Sequence, residues 1–301
     1  MRAFVSLILA VVVVATDHGP SPLESAVGSN LKLPVIVWGN GGCKPCWASV
    51  GMTFRGFLGE IASHGALVIA TGPAYVDPET YVLPPSDPSV GASGQNPAAL
   101  TTAIDWAHSN AGKDGWQHID ASRIGVWGQS CGGLEAYTAG LNDTRVSHIG
   151  IFNSGQLTEG ASKEVAGNLT KPVFYTLGGP TDIAYPNGER DYSALPNTTS
   201  AWKGNHELGH SAAFDALNGG IPAIVGSKML QWILRGDESA KAWFTGDGPS
   251  SIGIKDVVYK NLGSIKVTPI QWMDICRHLA EKDRMHVLEN DTVTYAAASS
   301  K

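Results

Sequence analysis

Charge is scarce in this 301-residue chain: Asp, Glu, Lys and Arg together make up 16% of it, and the formal net charge is -6. No cluster or stripe of Lys and Arg forms anywhere, which removes the electrostatic footprint that nucleic-acid binding requires. Long apolar runs are missing too. The best one, Ala3 to Val14, falls short of the roughly 20 residues a membrane-spanning helix needs, so no stable membrane anchor is expected. There is no internal repeat and no linker that would divide the chain. What is plentiful is hydrophobic residues, at 43%, and glycine, at 36 residues. That composition fits a globular chain with many tight turns and excludes a disordered or collagen-like one.

The first fifteen residues carry a signal of their own. A short positive head, Met1-Arg2, is followed by the apolar run to Val14 and then Ala15-Thr16-Asp17. Small residues at that point suit cleavage after Ala15, and the segment reads as a secretory signal peptide. N-x-S/T sequons at Asn142, Asn168, Asn197 and Asn290 are glycosylation candidates in a secreted chain. The four cysteines form an even set compatible with disulfides in an oxidising compartment. The expected organisation is a signal peptide over 1–15, one domain over 16–260, and a tail over 261–301 that fits no recognisable pattern. The mature protein is expected to be extracellular and soluble.

Short apolar runs alternate with amphipathic ones between about residues 33 and 225. Pro34 to Trp38, Ala66 to Ala70, Arg123 to Trp127, His148 to Phe152 and Val173 to Leu177 read as buried parallel strands, with a shorter one near Ser200 to Trp202. Helices are expected from Phe54 to Ala62, from Pro97 through Ala107, from Gly133 to Leu141, from Ser211 to Leu217 and from Ile221 to Arg235. The stretch from Tyr75 to Pro97, rich in Pro, Gly and Ser, reads as a long surface loop. Alternation of this kind implies an α/β protein, a three-layer α/β/α sandwich around a mostly parallel sheet.

The strongest chemical signal is Gly128-Gln129-Ser130-Cys131-Gly132, where a strand ends and a helix begins. Flanking glycines permit the sharp turn that lifts a serine hydroxyl above the sheet edge at a helix N-terminus. Such a hydroxyl needs a base, and the base an orienting acid, because serine alone is a poor nucleophile at neutral pH. Asp182 follows the strand Val173 to Leu177 at the carboxyl edge of the sheet. It is the candidate acid, with Asp191 as fallback and an N-cap role as the plain structural alternative. Of nine histidines, position favours His210, with His206 as the alternative base. Gly42 and Cys131 are candidates to supply oxyanion-hole amides.

Rival readings attach to the same residues. His206-Glu207-x-x-His210 matches a zinc-protease pattern by its letters, but Gly209 breaks the helix that pattern requires and no third ligand is evident, so no metal is expected. Cys43-Lys44-Pro45-Cys46 has the spacing of a redox dithiol. A structural disulfide is the favoured reading; its connectivity stays open, with a bridge between Cys43 and Cys131, which both lie beside the proposed site, as the candidate. Trp38, Trp47 and Trp202 are candidates to line a substrate pocket, with burial in the core as the alternative for tryptophan generally.

The motifs LPVIVWGNGGC, FLGEIASHGALVIATGP, WGQSCGGLEAY, GGPTDIAY and GHSAAFDALNGG together resemble a group of secreted fungal α/β-hydrolases, similar to dienelactone hydrolases, chlorophyllases and cutinase-like esterases. The resemblance covers roughly residues 33 to 245. It implies the α/β-hydrolase fold, with the leading antiparallel hairpin shortened or absent. It also implies a triad falling on Ser130, Asp182 and His210, acting on a small-molecule ester or lactone without a cofactor. A lyase, cyclase or acyltransferase on the same fold, or a binding protein that has kept it, would carry many of the same residues.

Overall fold

The computed structural model describes residues 9–11, 32–43, 54–71, 95–113, 115–212 and 214–268. The central strands are β1 (Leu9–Val11), β2 (Leu33–Gly39), β3 (Leu67–Thr71), β4 (Ile119–Gln129), β5 (Val146–Phe152), β6 (Val173–Leu177), β7 (Ala201–Asn205) and β8 (Lys255–Lys260). They form one sheet in the order β1-β3-β2-β4-β5-β6-β7-β8. All pairings from β3 across to β7 are parallel, and β1 and β8 close the two edges antiparallel. The sheet is therefore mostly parallel, as the buried, β-branched runs require.

All seven residues of β2 are buried. Because successive strand residues face opposite ways, Val35 and Val37 enter one hydrophobic cluster and Ile36 and Trp38 another. The first cluster includes residues of α2 (Pro97–Asn110) and α3 (Cys131–Leu141), among them Leu100, Ile104, Ala136 and Tyr137. The second includes residues of α1 (Arg55–Ser63), α6 (Gly220–Met229) and α7 (Glu238–Thr245), among them Phe57, Ile61, Met229 and Phe244. Helices thus pack on a parallel sheet, an α/β fold. Two further helices, α4 (Glu159–Glu164) and α5 (Tyr185–Ala194), follow β5 and β6.

Strand order explains where a site can form. From β2 the chain crosses to β3 on one side, then returns to lay β4 on the other side of β2. Strand order reverses there, and in open parallel sheets the crevice beyond the carboxyl ends at such a reversal is the natural binding place. The Gly41–Cys43 turn leaves β2 at that point, and Ser130 leaves β4.

Several elements depart from expectation. The described residues from Ser211 to Leu217 form no α-helix: Ala212 has φ 44°, and a short 3₁₀ turn, Leu217–Gly219, closes the segment. The reason is tertiary. Phe214 is drawn into an aromatic group with Trp38, Phe54, Phe57 and Phe152, and its carbonyl accepts from the Phe57 amide. The closing helix expected over Ile221 to Arg235 changes at Met229 into a π-type turn, Leu230–Leu234. Ile224 on it is exposed.

At the ends, Leu9–Val11 pairs with β3 inside the segment read as a leader. Leu262 is buried in the core, with Ile265 and Val267 packed against it, so the packed domain extends past residue 260. No helix among the described residues is long and apolar enough to cross a membrane. Asn142, Asn168 and Asn197 are exposed, while Asn290, Trp47, Cys46 and Cys276 lie outside the described residues.

Candidate active site

Ser130 sits between the last residue of β4 and the first of α3 with φ 52° and ψ -120°. That backbone conformation is strained for a residue with a side chain, typically by about 1–3 kcal/mol, and persists only where its surroundings enforce it. Three hydrogen bonds enforce it here. The Ser130 amide donates to the Phe152 carbonyl at 3.1 Å, and the Ser130 carbonyl accepts from the Gly133 amide at 2.9 Å and from Ser154 Oγ at 2.6 Å. The flanking glycines are a steric necessity. A Cβ on Gly128 would strike the Gly132 carbonyl, and one on Gly132 would strike that of Gly39.

His210 Nε2 lies 2.9 Å from Ser130 Oγ, and His210 Nδ1 lies 2.6 Å from Asp182 Oδ1. Asp182 is fully buried, whereas the His210 side chain keeps 28% of its surface exposed, so an incoming molecule can reach the imidazole but not the acid. An ionised carboxylate has no proton to give. His210 therefore carries its proton on Nδ1, which leaves Nε2 free to accept the Ser130 hydroxyl proton. The Asp182 carboxylate also accepts from the Ala184 amide at 2.8 Å, so the cap-like turn and the imidazole contact coexist on Oδ1.

The three residues follow β4, β6 and β7 at one edge of the sheet. The fallback acid, Asp191, is turned away: it accepts from Tyr137 Oη, Ser162 Oγ and the Gln156 amide in a fully buried network. Burial pushes its pKa up against those bonds. Nor do His206, Glu207 and His210 gather as metal ligands. His206 bonds Asn153, Glu207 pairs with Lys255, and His210 bonds Ser130 and Asp182.

Cys43 and Cys131 form a disulfide across a sequence separation of 88 residues. Cys43 therefore does not pair with Cys46, and the redox-dithiol reading falls. The bridge ties the Gly41–Cys43 turn to the first residue of α3. Gly42 has φ 58°, a conformation open to glycine, and Gln129 Oε1 fills the space a Cβ on Gly41 would take. The Cys131 amide belongs to the first helical turn, whose N–H groups lack intrahelical acceptors and favour negative charge.

Two pocket candidates are corrected. Trp38 and Trp202 are fully buried. Trp38 is surrounded by Phe54, Phe57, Phe152 and Phe214, and Trp202 packs on Phe244, donating from Nε1 to the Phe244 carbonyl at 3.2 Å. Large rings on these buried strands fill the core rather than face a ligand. A cavity of about 610 Å³ lies at the opposite, amino-terminal ends of the strands, between Arg123, Ser147, Pro172, Ser200 and Thr268, and touches none of the triad.

Sequence reasoning passed over the polar residues at the end of β5. Asn153 and Ser154 are buried, and Asn153 adopts φ 44°. A buried strand that gives way to Asn-Ser-Gly at the carboxyl edge was the available signal. Compared with known proteins, the chain matches no family model, and no curated protein matches its sequence.

Proposed function

We propose that this chain is a secreted serine hydrolase of the α/β-hydrolase type, a three-layer α/β/α domain that cleaves carboxylic ester or lactone bonds. The observation that carries the reading is the relay Ser130 Oγ, His210 Nε2, His210 Nδ1, Asp182 Oδ1, at 2.9 and 2.6 Å, with the strained Ser130 backbone at a strand-to-helix turn. Both spacings fall within the reach that proton transfer to a base and orientation of that base require.

In this mechanism His210 accepts the Ser130 proton as Oγ attacks the carbonyl carbon. The developing oxyanion meets the Cys131 amide at the helix start and the Gly42 amide on the bridged turn. His210 then gives its proton to the leaving alcohol, and water repeats the sequence to release the acid and free Ser130. Asp182 holds the imidazole in the Nδ1–H form and stabilises its charged state. No cofactor takes part.

Leu157, Ile183 and Leu208 are exposed on the segments that follow β5, β6 and β7, with Ile183 next to Asp182 in the chain and Leu208 two residues before His210. Exposed large apolar side chains near a site favour an ester with an apolar acyl or alcohol group. A fluorophosphonate probe with peptide mapping, together with a chain-length series of p-nitrophenyl esters and a lactone panel, tests the reading. The expected result is one adduct, on Ser130, and turnover that yields acid plus alcohol. An unmodified Ser130 in folded protein would sink it. Secretion is tested separately by N-terminal sequencing of exported protein, expected to begin at Thr16.

A further inference from the structure

The turn that carries His210 is locked by hydrogen bonds whose direction can be followed atom by atom. The Leu208 amide donates to His206 Nδ1 at 3.1 Å. That nitrogen must then be the unprotonated one, so Nε2 carries the hydrogen and donates to Asn153 Oδ1 at 2.9 Å. With its oxygen so assigned, Asn153 points its amide nitrogen at the Gly209 and His210 carbonyls, 3.1 and 2.8 Å away. The circuit starts on the 206–210 turn, leaves it through the His206 ring, and returns through Asn153. Gln129 Nε2 donates to the same His210 carbonyl at 2.9 Å.

Asn153 and His206 are buried. Burial pushes the His206 pKa down to about 4, with the Asp182 carboxylate working against it. At neutral pH the ring is neutral, the state in which it can accept from Leu208 and donate to Asn153 at once. Asn153 holds φ 44°, a region that asparagine tolerates better than most residues.

We propose that Asn153 and His206 are positioning residues for the base: together with Gln129 they fix the main chain of His210 so that Nε2 faces Ser130 Oγ. This rests on the reading of Ser130, His210 and Asp182 as the catalytic relay. Asn153 and His206 touch neither substrate nor reacting atoms, and their effect passes through the placement of one imidazole. A displacement of about 1 Å at that ring is expected to slow turnover roughly 100-fold without weakening substrate binding.

The test uses the full-length protein and a p-nitrophenyl ester. Asn153→Gly keeps the backbone conformation and deletes the amide. Its kcat is expected to fall roughly 100-fold with KM within about twofold of wild type. His206→Leu deletes both ring nitrogens and is expected to act in the same direction. His206→Gln, which returns a donor near Nε2, is expected to rescue kcat to within about threefold. Wild-type kcat in folded Asn153→Gly or His206→Leu, or a loss confined to KM, overturns the proposal. If both variants fail to fold, nitrogen NMR of wild-type protein decides it: an Nε2–H tautomer at His206 at neutral pH supports the circuit, and an Nδ1–H tautomer overturns it. That measurement needs no enzymatic activity. A wild-type protein that fails to react at Ser130 therefore counts against the hydrolase reading and leaves the circuit to be judged separately.

Discussion

Replacing both bridged cysteines, as Cys43→Ser with Cys131→Ser, perturbs the site and the fold through one bond. The disulfide closes a loop of 88 residues. In the chain-entropy limit a loop of that length restricts the unfolded state by about 4.6 kcal/mol at 25 °C, within the roughly 2–5 kcal/mol lost when native bridges are removed. For a domain of this size each kcal/mol moves Tm by about 2–4 °C, so the double variant should melt about 10 °C or more below wild type. Turnover should suffer as well under the proposed mechanism, because the bridge joins the turn bearing Gly42 to Cys131, the two residues proposed to supply oxyanion amides. Outright removal of one oxyanion donor typically lowers kcat by about 10²–10³-fold. Here both amides remain and only their spacing loosens, so a loss of roughly 10- to 100-fold is expected. Calorimetry gives the first quantity and ester hydrolysis the second, with intact mass before and after reduction checking the bridge. A double variant that melts together with wild type and turns over at the wild-type rate would refute the reasoning. So would alkylation of both thiols in unreduced native protein.

Gly128→Ala and Gly132→Ala should each fail to fold or lose several kcal/mol, because the added Cβ meets backbone atoms that cannot swing aside. Gly263→Ala, with open space at the Cβ position, is the control, and melting temperatures of the three variants check the contrast. Asp182→Asn should preserve the structure yet lower kcat by about 10⁴-fold with little change in KM, since an amide supports the wrong imidazole tautomer. A loss of less than tenfold would remove Asp182 from its role. Acid should destabilise the protein through His148, whose pKa burial pushes down from 6.5 to about 3. Between those values the unfolded chain binds the proton and the folded chain does not, so stability falls as pH falls. His148→Gln should make that fall shallower by up to about 1.4 kcal/mol per pH unit, measured by urea titration between pH 6.5 and 4, and a steeper fall would contradict the account.

The parts of the site that could be read from sequence are those specified by neighbours in the chain. Gly128 and Gly132 announce the Ser130 turn because their lack of Cβ atoms is a local requirement, and the apolar run of β4 before them points to the sheet edge. Asp182 could be found because a buried strand, Val173–Leu177, ends a few residues earlier. His210 is reached by elimination among the histidines and by its place after Gly209, at the start of an expected helix that does not form. The segment after it was misjudged for the converse reason. Ser-Ala-Ala-Phe-Asp-Ala-Leu has helical character, but burying Phe214 among four aromatic rings outweighs the propensity of so short a stretch. Trp38 and Trp202, read as pocket walls, proved to be core because a strand's buried positions do not reveal how much helix lies over them.

The partners of Asn153 and Ser154 were illegible for a deeper reason, which lies in strand order. Ser130 follows β4, and Asp182 and His210 follow β6 and β7, so Ser130 is separated from the other two by β5. Neighbouring strands lie about 4.8 Å apart, which places the chain leaving β5 between the serine and the loops that face it. That segment supplies no member of the triad, yet its two polar side chains bind both sides. Ser154 donates to the Ser130 carbonyl, and Asn153 donates to the His210 carbonyl. A hydroxyl and an imidazole carried on separate loops stay 2.9 Å apart only if something fixed to the sheet holds both main chains. The end of β5 is placed to do so, and no spacing along the chain could have announced it, because the partners it joins are 80 residues apart in sequence.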